Sequence, residues 1–387
     1  MVSSTDVESF SILGHIEWFD LFHEIILTFC TVSLYFLYNK YKDKLPTLIF
    51  STLVFTTIFY LLYTAIILLN LNHILDLMNV AENIDKVRQY LTLETFSLFF
   101  TFLNSILFIA FLIMDKKRIF YLLLATKTVF FFASDFYLIP KFNFLGVAYS
   151  NILVNILIFV ISLWFVNHYL KIFNEKKLSF FWVKEFLGIS SFSGGQIFLD
   201  NFMYGLVVMQ MINMLNNQGD YWLANNFIWG ILLLPSFVLA EVIKRDALKT
   251  NQLTSYFYVS GILLLLWLVT IPLWDNFFAF FYQFDDALNE RVLSIVLSLL
   301  PYYVVFLVSS IFNSRFIGLG NTHYLLITSI IVNCMYYPMM LLLIKNDVFA
   351  ISMNFIVHMF GIGIVINAII GICFYFFVSK KQHKVKL

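Results

Sequence analysis

The sequence predicts an all-α integral membrane protein of about eleven transmembrane helices in two parallel six-helix-type lobes, the first lobe one helix short. Three observations carry this. Hydrophobic residues fill 61% of the 387 positions and charged residues only 12%, about half the charged fraction of a water-soluble globule. The apolar residues gather into blocks of about 20, the length a helix needs to cross a hydrocarbon core about 30 Å thick. A five-block pattern in the first 174 residues recurs 204 residues later.

The blocks run over 15–38, 46–69, 91–113, 119–139 and 145–168 in the first half, then 187–213, 222–243, 254–274, 292–314, 323–344 and 352–378. Helices are the expected form, because a backbone in lipid must satisfy its own hydrogen bonds and barrel strands would alternate polar with apolar. The start Met1-Val2-Ser3-Ser4-Thr5-Asp6 has neither the basic region nor the cleavage site of a signal peptide, so insertion through the spans themselves is expected.

The repeat sets Phe102-Leu103-Asn104-Ser105-Ile106-Leu107-Phe108 over Phe306-Leu307-Val308-Ser309-Ser310-Ile311-Phe312 without a gap, and Ile113 over Ile317. The approach Val80-Ala81-Glu82-Asn83-Ile84 falls at the same offset over Phe284-Asp285-Asp286-Ala287-Leu288. Shifted back by 204, the last five blocks account for all five of the first half, whereas 187–213 maps to a stretch before Met1. Six helices return the chain to its starting side, so the lobes are parallel repeats about an axis along the membrane normal. The expected domains are 1–178 and 179–387, joined by the basic segment 169–186, whose Phe180, Phe181 and Trp182 suit the inner membrane surface.

Basic residues concentrate in alternate loops: Lys40, Lys42 and Lys44; Lys116, Lys117 and Arg118; Lys171, Lys176, Lys177 and Lys184; Lys244, Arg245 and Lys249; Arg315; and the tail lysines from Lys380 on. The intervening loops carry Asp76, Glu82, Asp85, Asp220, Asp275, Asp285 and Asp286. The positive-inside rule then places the amino terminus outside and the carboxyl terminus in the cytoplasm. The composition, rich in Phe, Ile, Asn and Lys, suggests the plasma (inner) membrane of a bacterium with an AT-rich genome. A net charge of +1 gives no reason to invoke nucleic acid. Cys30, Cys334 and Cys373 lack any paired spacing and are expected to be packing residues, with neither disulfide nor metal site.

Several stretches resemble the multidrug and toxic compound extrusion (MATE) family, twelve-helix antiporters of two six-helix lobes. Leu75-Asp76-Leu77-Met78-Asn79-Val80-Ala81-Glu82 leading to Tyr90-Leu91 resembles the family's outer loop and fourth helix. Phe312-Asn313-Ser314-Arg315-Phe316-Ile317-Gly318-Leu319-Gly320-Asn321-Thr322 resembles its Gly-x-Gly-[Asp/Asn]-Thr stretch, and Leu145-Gly146-Val147-Ala148 the opening of helix six. The resemblance implies a cation site made by a helix-one carboxylate, an Asn and an Asp one turn apart on helix five and a Thr on helix six. Asp135 fits the helix-five Asp, but Phe131 stands where the Asn would be and Val154 where the Thr would be. The helix-one acid falls in the segment with no counterpart here. Coupling through the first lobe is thereby put in question.

Ionisable groups inside spans cost at least about 2.5–3.5 kcal/mol each, so each asks for a reason. Glu17, Asp20, His23 and Glu24 spread over about 120° of one helix face, reading as a cation or proton relay or as a helix end dipping into headgroups. Asp200 lies mid-way along 187–213, near where several members of the resembled family carry a cation-binding acid; it is either that acid or packing glue bonded to a neighbour. Tyr204 and Met209, with Met203, Met211 and Met214, offer a polarizable surface for aromatic cations or plain core packing. Lys127 stands eight residues before Asp135 and could share a buried site with it. Glu94 is expected to be solvated near the outer interface, and Glu241 to pair with Lys244 or Arg245.

Together these give a non-enzymatic, monomeric inner-membrane exporter of amphipathic cationic organic molecules, driven by Na+ or H+ through alternating access of two lobes, with membrane lipid as its surroundings and no other cofactor. Asp200, Asp135, Glu17, Asp20, Glu24, Lys127, Tyr204 and Met209 are the candidate binding residues. A flippase for lipid-linked saccharides is the alternative within transport, and a non-transporting paralogue the alternative outside it. His358 raises a membrane-bound acyltransferase as an enzyme alternative, which the two-lobe repeat disfavours. No Walker lysine in a Gly-rich loop is present, so ATP drive within this chain is excluded.

Overall fold

A computed structural model describes residues 7–77, 84–175, 178–215, 218–250, 253–282 and 286–385, with side chains described between Phe19 and Val378 except at 213, 218, 281, 282 and 286. Glu17, the 78–83 part of the outer-loop stretch and Asp285 therefore lie outside the described side chains or residues. Among the described residues every regular element is a helix.

The chain divides into two compact units, Met1–Ser190 and Ser191–Leu387. The first two turns of α7 thus belong to the first unit. Unit 1 holds α1 (Val7–Lys40), α2 (Leu45–Leu69), the short α3 (Leu71–Leu77), α4 (Ile84–Ile113), α5 (Lys117–Phe142), α6 (Phe144–Leu170) and the start of α7 (Val183–Met203). Unit 2 holds the rest of α7, then α8 (Gln210–Met214), α9 (Gln218–Phe227), α10 (Leu234–Asp246), α11 (Thr254–Tyr282), α12 (Asp286–Gly318), α13 (His323–Ile331), α14 (Tyr337–Lys345) and α15 (Met353–Val385).

All eleven predicted blocks are helical. Nine helices among the described residues are long and apolar enough to cross a membrane, and α9 with α10, bent by 50° at the break between them, makes a tenth if the pair is one broken span rather than a re-entrant loop. The eleventh block, 187–213, is helical yet too polar to pass on composition: it carries Ser190, Ser191, Ser193, Gln196, Asp200, Asn201 and Gln210. Its polarity marks it out before any partner is considered.

In unit 1, α4 lies along α6 and against α1, and α5 lies along α6. Gly146 permits the α5–α6 approach, since a Cβ there would sit 2.6 Å from the Leu138 carbonyl oxygen and 2.7 Å from Ile139 Cα. Tyr60 of α2 stacks on Phe102 of α4 with ring centroids 4.4 Å apart, and Tyr38 of α1 bonds Thr52 of α2 at 2.6 Å. In unit 2, α12 lies along α15 with α9 and α10 against it. The 204-residue offset maps α4 and α6 onto α12 and α15, so the tightest pair recurs. The hydrogen bonds differ between the copies: the Asn155 carbonyl accepts from Asn104 Nδ2 of α4 at 3.0 Å, whereas the carbonyl 204 residues on, that of Met359, accepts from the Tyr336 hydroxyl at 2.8 Å, a donor from a non-equivalent position.

Several expectations are corrected. Trp182 is fully buried, with Nε1 donating to the Ser179 carbonyl and its ring against Phe55 and Phe186, because it closes the start of α7 onto α2; Phe180 and Phe181 stay exposed. Cys30 is buried, whereas Cys334 and Cys373 are exposed. Glu241 does pair with Lys244, at 2.8 Å. In the Gly-x-Gly stretch, Gly318 is pressed onto the Lys244 backbone and Gly320 takes a φ of 73°, which suits glycine.

Candidate functional site

Unit 2 carries three one-turn π-helices, at Tyr204–Met209, Ile228–Leu232 and Val332–Tyr336, and two of them border the same acid. Asp200 lies one turn before the first, and Asn333 lies inside the third. Single π turns within α-helices recur at functional sites. No sequence feature announces them.

Asp200 Oδ1 accepts hydrogen bonds from Ser329 Oγ at 2.7 Å and from Asn333 Nδ2 at 2.6 Å. Its other oxygen accepts from Gln196 Nε2 at 3.2 Å, and Asn333 Nδ2 also reaches Ser329 Oγ at 3.0 Å. These donors are placed by periodicity: Gln196 is one turn before Asp200 on α7, and Ser329 and Asn333 are one turn apart on the α13 span. All three donors are neutral. A carboxylate so held keeps its charge uncompensated by these partners, and inside a membrane that charge calls for a proton or a small cation. Tyr204 is partly buried, with its ring 5.6 Å from Phe360. Met209 and Met211 are buried, Met203 is partly buried and Met214 exposed, so these methionines do not share one open face.

The residues expected in the first lobe are less assembled. Asp20 and Glu24 are exposed, whereas His23 is 3% exposed and turned into the rings of Phe19, Tyr63 and Tyr60. His23 therefore does not sit with its neighbouring acids. Lys127 places its Nζ 5.5 Å from the Phe131 ring centroid and forms no ion pair with Asp135. Asp135 Oδ1 is buried and receives no hydrogen bond from the protein.

Glu94 is the main surprise. It is 7% exposed rather than solvated, and Asn151 Nδ2 donates to both its oxygens, at 3.2 and 3.1 Å. Sequence reasoning misplaced Glu94 and passed over Asn151, Ser329, Asn333 and Gln196, although the repeat offered a signal: Ser329 and Asn333 lie 204 residues after Ala125 and Val129, polar in one copy and apolar in the other.

No protein-family model matches the chain, and no curated protein matches it in sequence. Solved structures do. A MATE protein in its straight conformation superimposes with a TM-score of 0.73 at 17% identity, over 99% of this chain and 91% of that one. An outward-facing multidrug resistance MATE transporter of the MOP superfamily gives 0.77 at 15% identity, over 98% and 90%. This is the MATE fold. A third neighbour, a MOP superfamily transporter from Pyrococcus furiosus, gives 0.72 at 16% identity over 97% and 88%, and is described as having a binding pocket of reversed polarity that suggests a different function. At such identities the MATE fold is shared, and the chemistry must be argued from the residues above.

Proposed function

We propose that the chain is a secondary transporter that exports amphipathic, cationic organic molecules and exchanges them for Na+ or H+ at Asp200. The observation that carries this reading is a carboxylate in the interior of a membrane-spanning unit held by three neutral donors from two helices, each interrupted by a π turn beside it. The shared fold of transporter structures supports the transport class over an enzyme, and a flippase for anionic lipid-linked sugars would want several Arg and Lys side chains in its cavity, where Lys127 alone is on offer, which counts against it. The proposed orientation keeps the amino terminus outside and the carboxyl terminus cytoplasmic, in a bacterial inner membrane.

The deciding experiment is flux of a fluorescent organic cation in proteoliposomes under imposed sodium or proton gradients, for wild type, Asp200→Asn and Asp135→Asn. Gradient-driven flux in wild type that is abolished by Asp200→Asn is the expected result. Equal flux in wild type and Asp200→Asn, or none from folded wild type under either gradient, would overturn the reading.

A further inference from the structure

A line of polar side chains runs along the α4–α6 interface of unit 1, and the fold does not require it. Glu94, Ser97 and Asn104 come from α4; Asn151, Asn155 and Ser162 come from α6. Asn151 holds Glu94 as described, Ser97 follows Glu94 by one turn of α4, and Ser97 Oγ accepts from Asn155 Nδ2 at 3.2 Å. Asn104 Nδ2 then reaches the Asn155 carbonyl. From Glu94 to Asn104 the line covers about 15 Å of helix rise, half of a hydrocarbon core.

The line is incomplete in a telling way. Asn104 is 1% and Asn155 3% exposed, yet the Oδ1 atoms of both, and Ser162 Oγ, receive no hydrogen bond from the protein. Buried acceptors left unpaired are costly, and internal water is the usual remedy where several polar atoms converge. The repeat supplies a control. The positions 204 residues on from Glu94, Ser97 and Asn104 are Ser298, Pro301 and Val308, and those from Asn151, Asn155 and Ser162 are Phe355, Met359 and Ile366. With those residues α12 and α15 still pack along one another. The amides of unit 1 therefore serve something other than helix packing.

We propose that α4 and α6 enclose a hydrated proton path in which Glu94 loads and releases the proton and the amide oxygens of Asn104 and Asn155 hold the waters that serve it. A hydronium in the path gives its proton to the Glu94 carboxylate, leaving water and a neutral carboxylic acid, and release reverses the transfer. The titratable groups in electrostatic range of Glu94 are Asp20 of α1, itself in range of Glu24, and Tyr90 on the same helix, which is in turn in range of Asp135 of α5. These neighbours are acids or phenols, so a proton is the counter-charge that fits. The path goes beyond the Asp200 reading and does not depend on it.

The test is infrared difference spectroscopy of the full chain in lipid, in H2O and D2O, across a pH titration, with proton uptake into proteoliposomes as a second readout. Wild type is expected to show a protonated-carboxyl C=O band that Glu94→Gln removes and Asp200→Asn leaves in place. The double variant Asn104→Val/Asn155→Met installs the residues that unit 2 tolerates at the same interface. It should fold, keep the band at an altered frequency, and slow proton uptake at least about tenfold. An unchanged band in Glu94→Gln, or wild-type band and uptake in the double variant, would overturn the proposal. Absence of substrate flux in wild type would instead count against the transporter reading while the infrared result still decides this one.

Discussion

Asn333→Val gives the sharpest test of how Asp200 works, because Val is what unit 1 carries at the matching position, Val129. The Asn333 amide donates to Asp200 Oδ1 at 2.6 Å, and any proton or sodium ion that meets this carboxylate competes with that donor. Removing it destabilises the ion-free carboxylate and leaves the loaded form nearly untouched, so loading should tighten. A hydrogen bond to a charged group contributes about 1.5–3 kcal/mol, whereas interhelical bonds in membranes average about 0.6 kcal/mol. The half-saturating concentration of the driving ion should therefore fall by about threefold at least and about 150-fold at most, with slower release lowering maximal flux. Ser329→Ala should act in the same direction, and the pair should be non-additive because both donors share one oxygen. The assay is initial flux against ion concentration in proteoliposomes. A half-saturating concentration that rises or stays within twofold would refute the competition argument and make Asn333 a ligand of the ion or a bystander.

Three further outcomes follow from packing. Gly361→Ala would drive a methyl into the Tyr302 ring and part the Tyr302 hydroxyl from His358 Nδ1, now 2.8 Å away, costing about 1–3 kcal/mol; a lowered Tm of the solubilised protein checks it, with Gly188→Ala, where nothing lies within 4 Å of the added methyl and helix propensity favours Ala, as the control that should not lower Tm. Trp229→Phe removes the 2.9 Å bond from Nε1 to the buried Tyr303 hydroxyl and should cost about 0.5–1.5 kcal/mol by the same measurement. Glu185→Ala, which breaks an ion pair with Lys40 at a largely exposed position, should shift stability by less than about 1 kcal/mol.

The helices were legible because a span must be apolar for its whole length, and the repeat was legible because Phe102 to Phe108 and Phe306 to Phe312 keep their register without a gap. Asp200 was legible too, as an acid in a span. Its partners were not, since Ser329 and Asn333 stand 129 and 133 residues away and only the folded chain brings them there. Glu94 was misjudged for the same reason: ten residues into α4 it reads as an interfacial acid, and nothing local reveals that Asn151, 57 residues on, will enclose it. His23 was misjudged differently. Angular spacing put it beside Asp20, but its ring finds better company among Phe19, Tyr60 and Tyr63.

The three π turns carry a consequence for how these spans tolerate change in length. Deleting one residue from an ordinary transmembrane α-helix rotates everything beyond the cut by about 100° and turns buried groups towards lipid. Within Tyr204–Met209, Ile228–Leu232 or Val332–Tyr336 the wider turn already holds the slack, so a one-residue deletion has a regular α-helix to fall back on. Unit 2 should therefore admit single-residue length variants at three places where α4 and α6 would lose their facing polar line. Length variants would then be tolerated unevenly between the two copies, gathered at the turns beside Asp200 and sparse along the interface of Glu94.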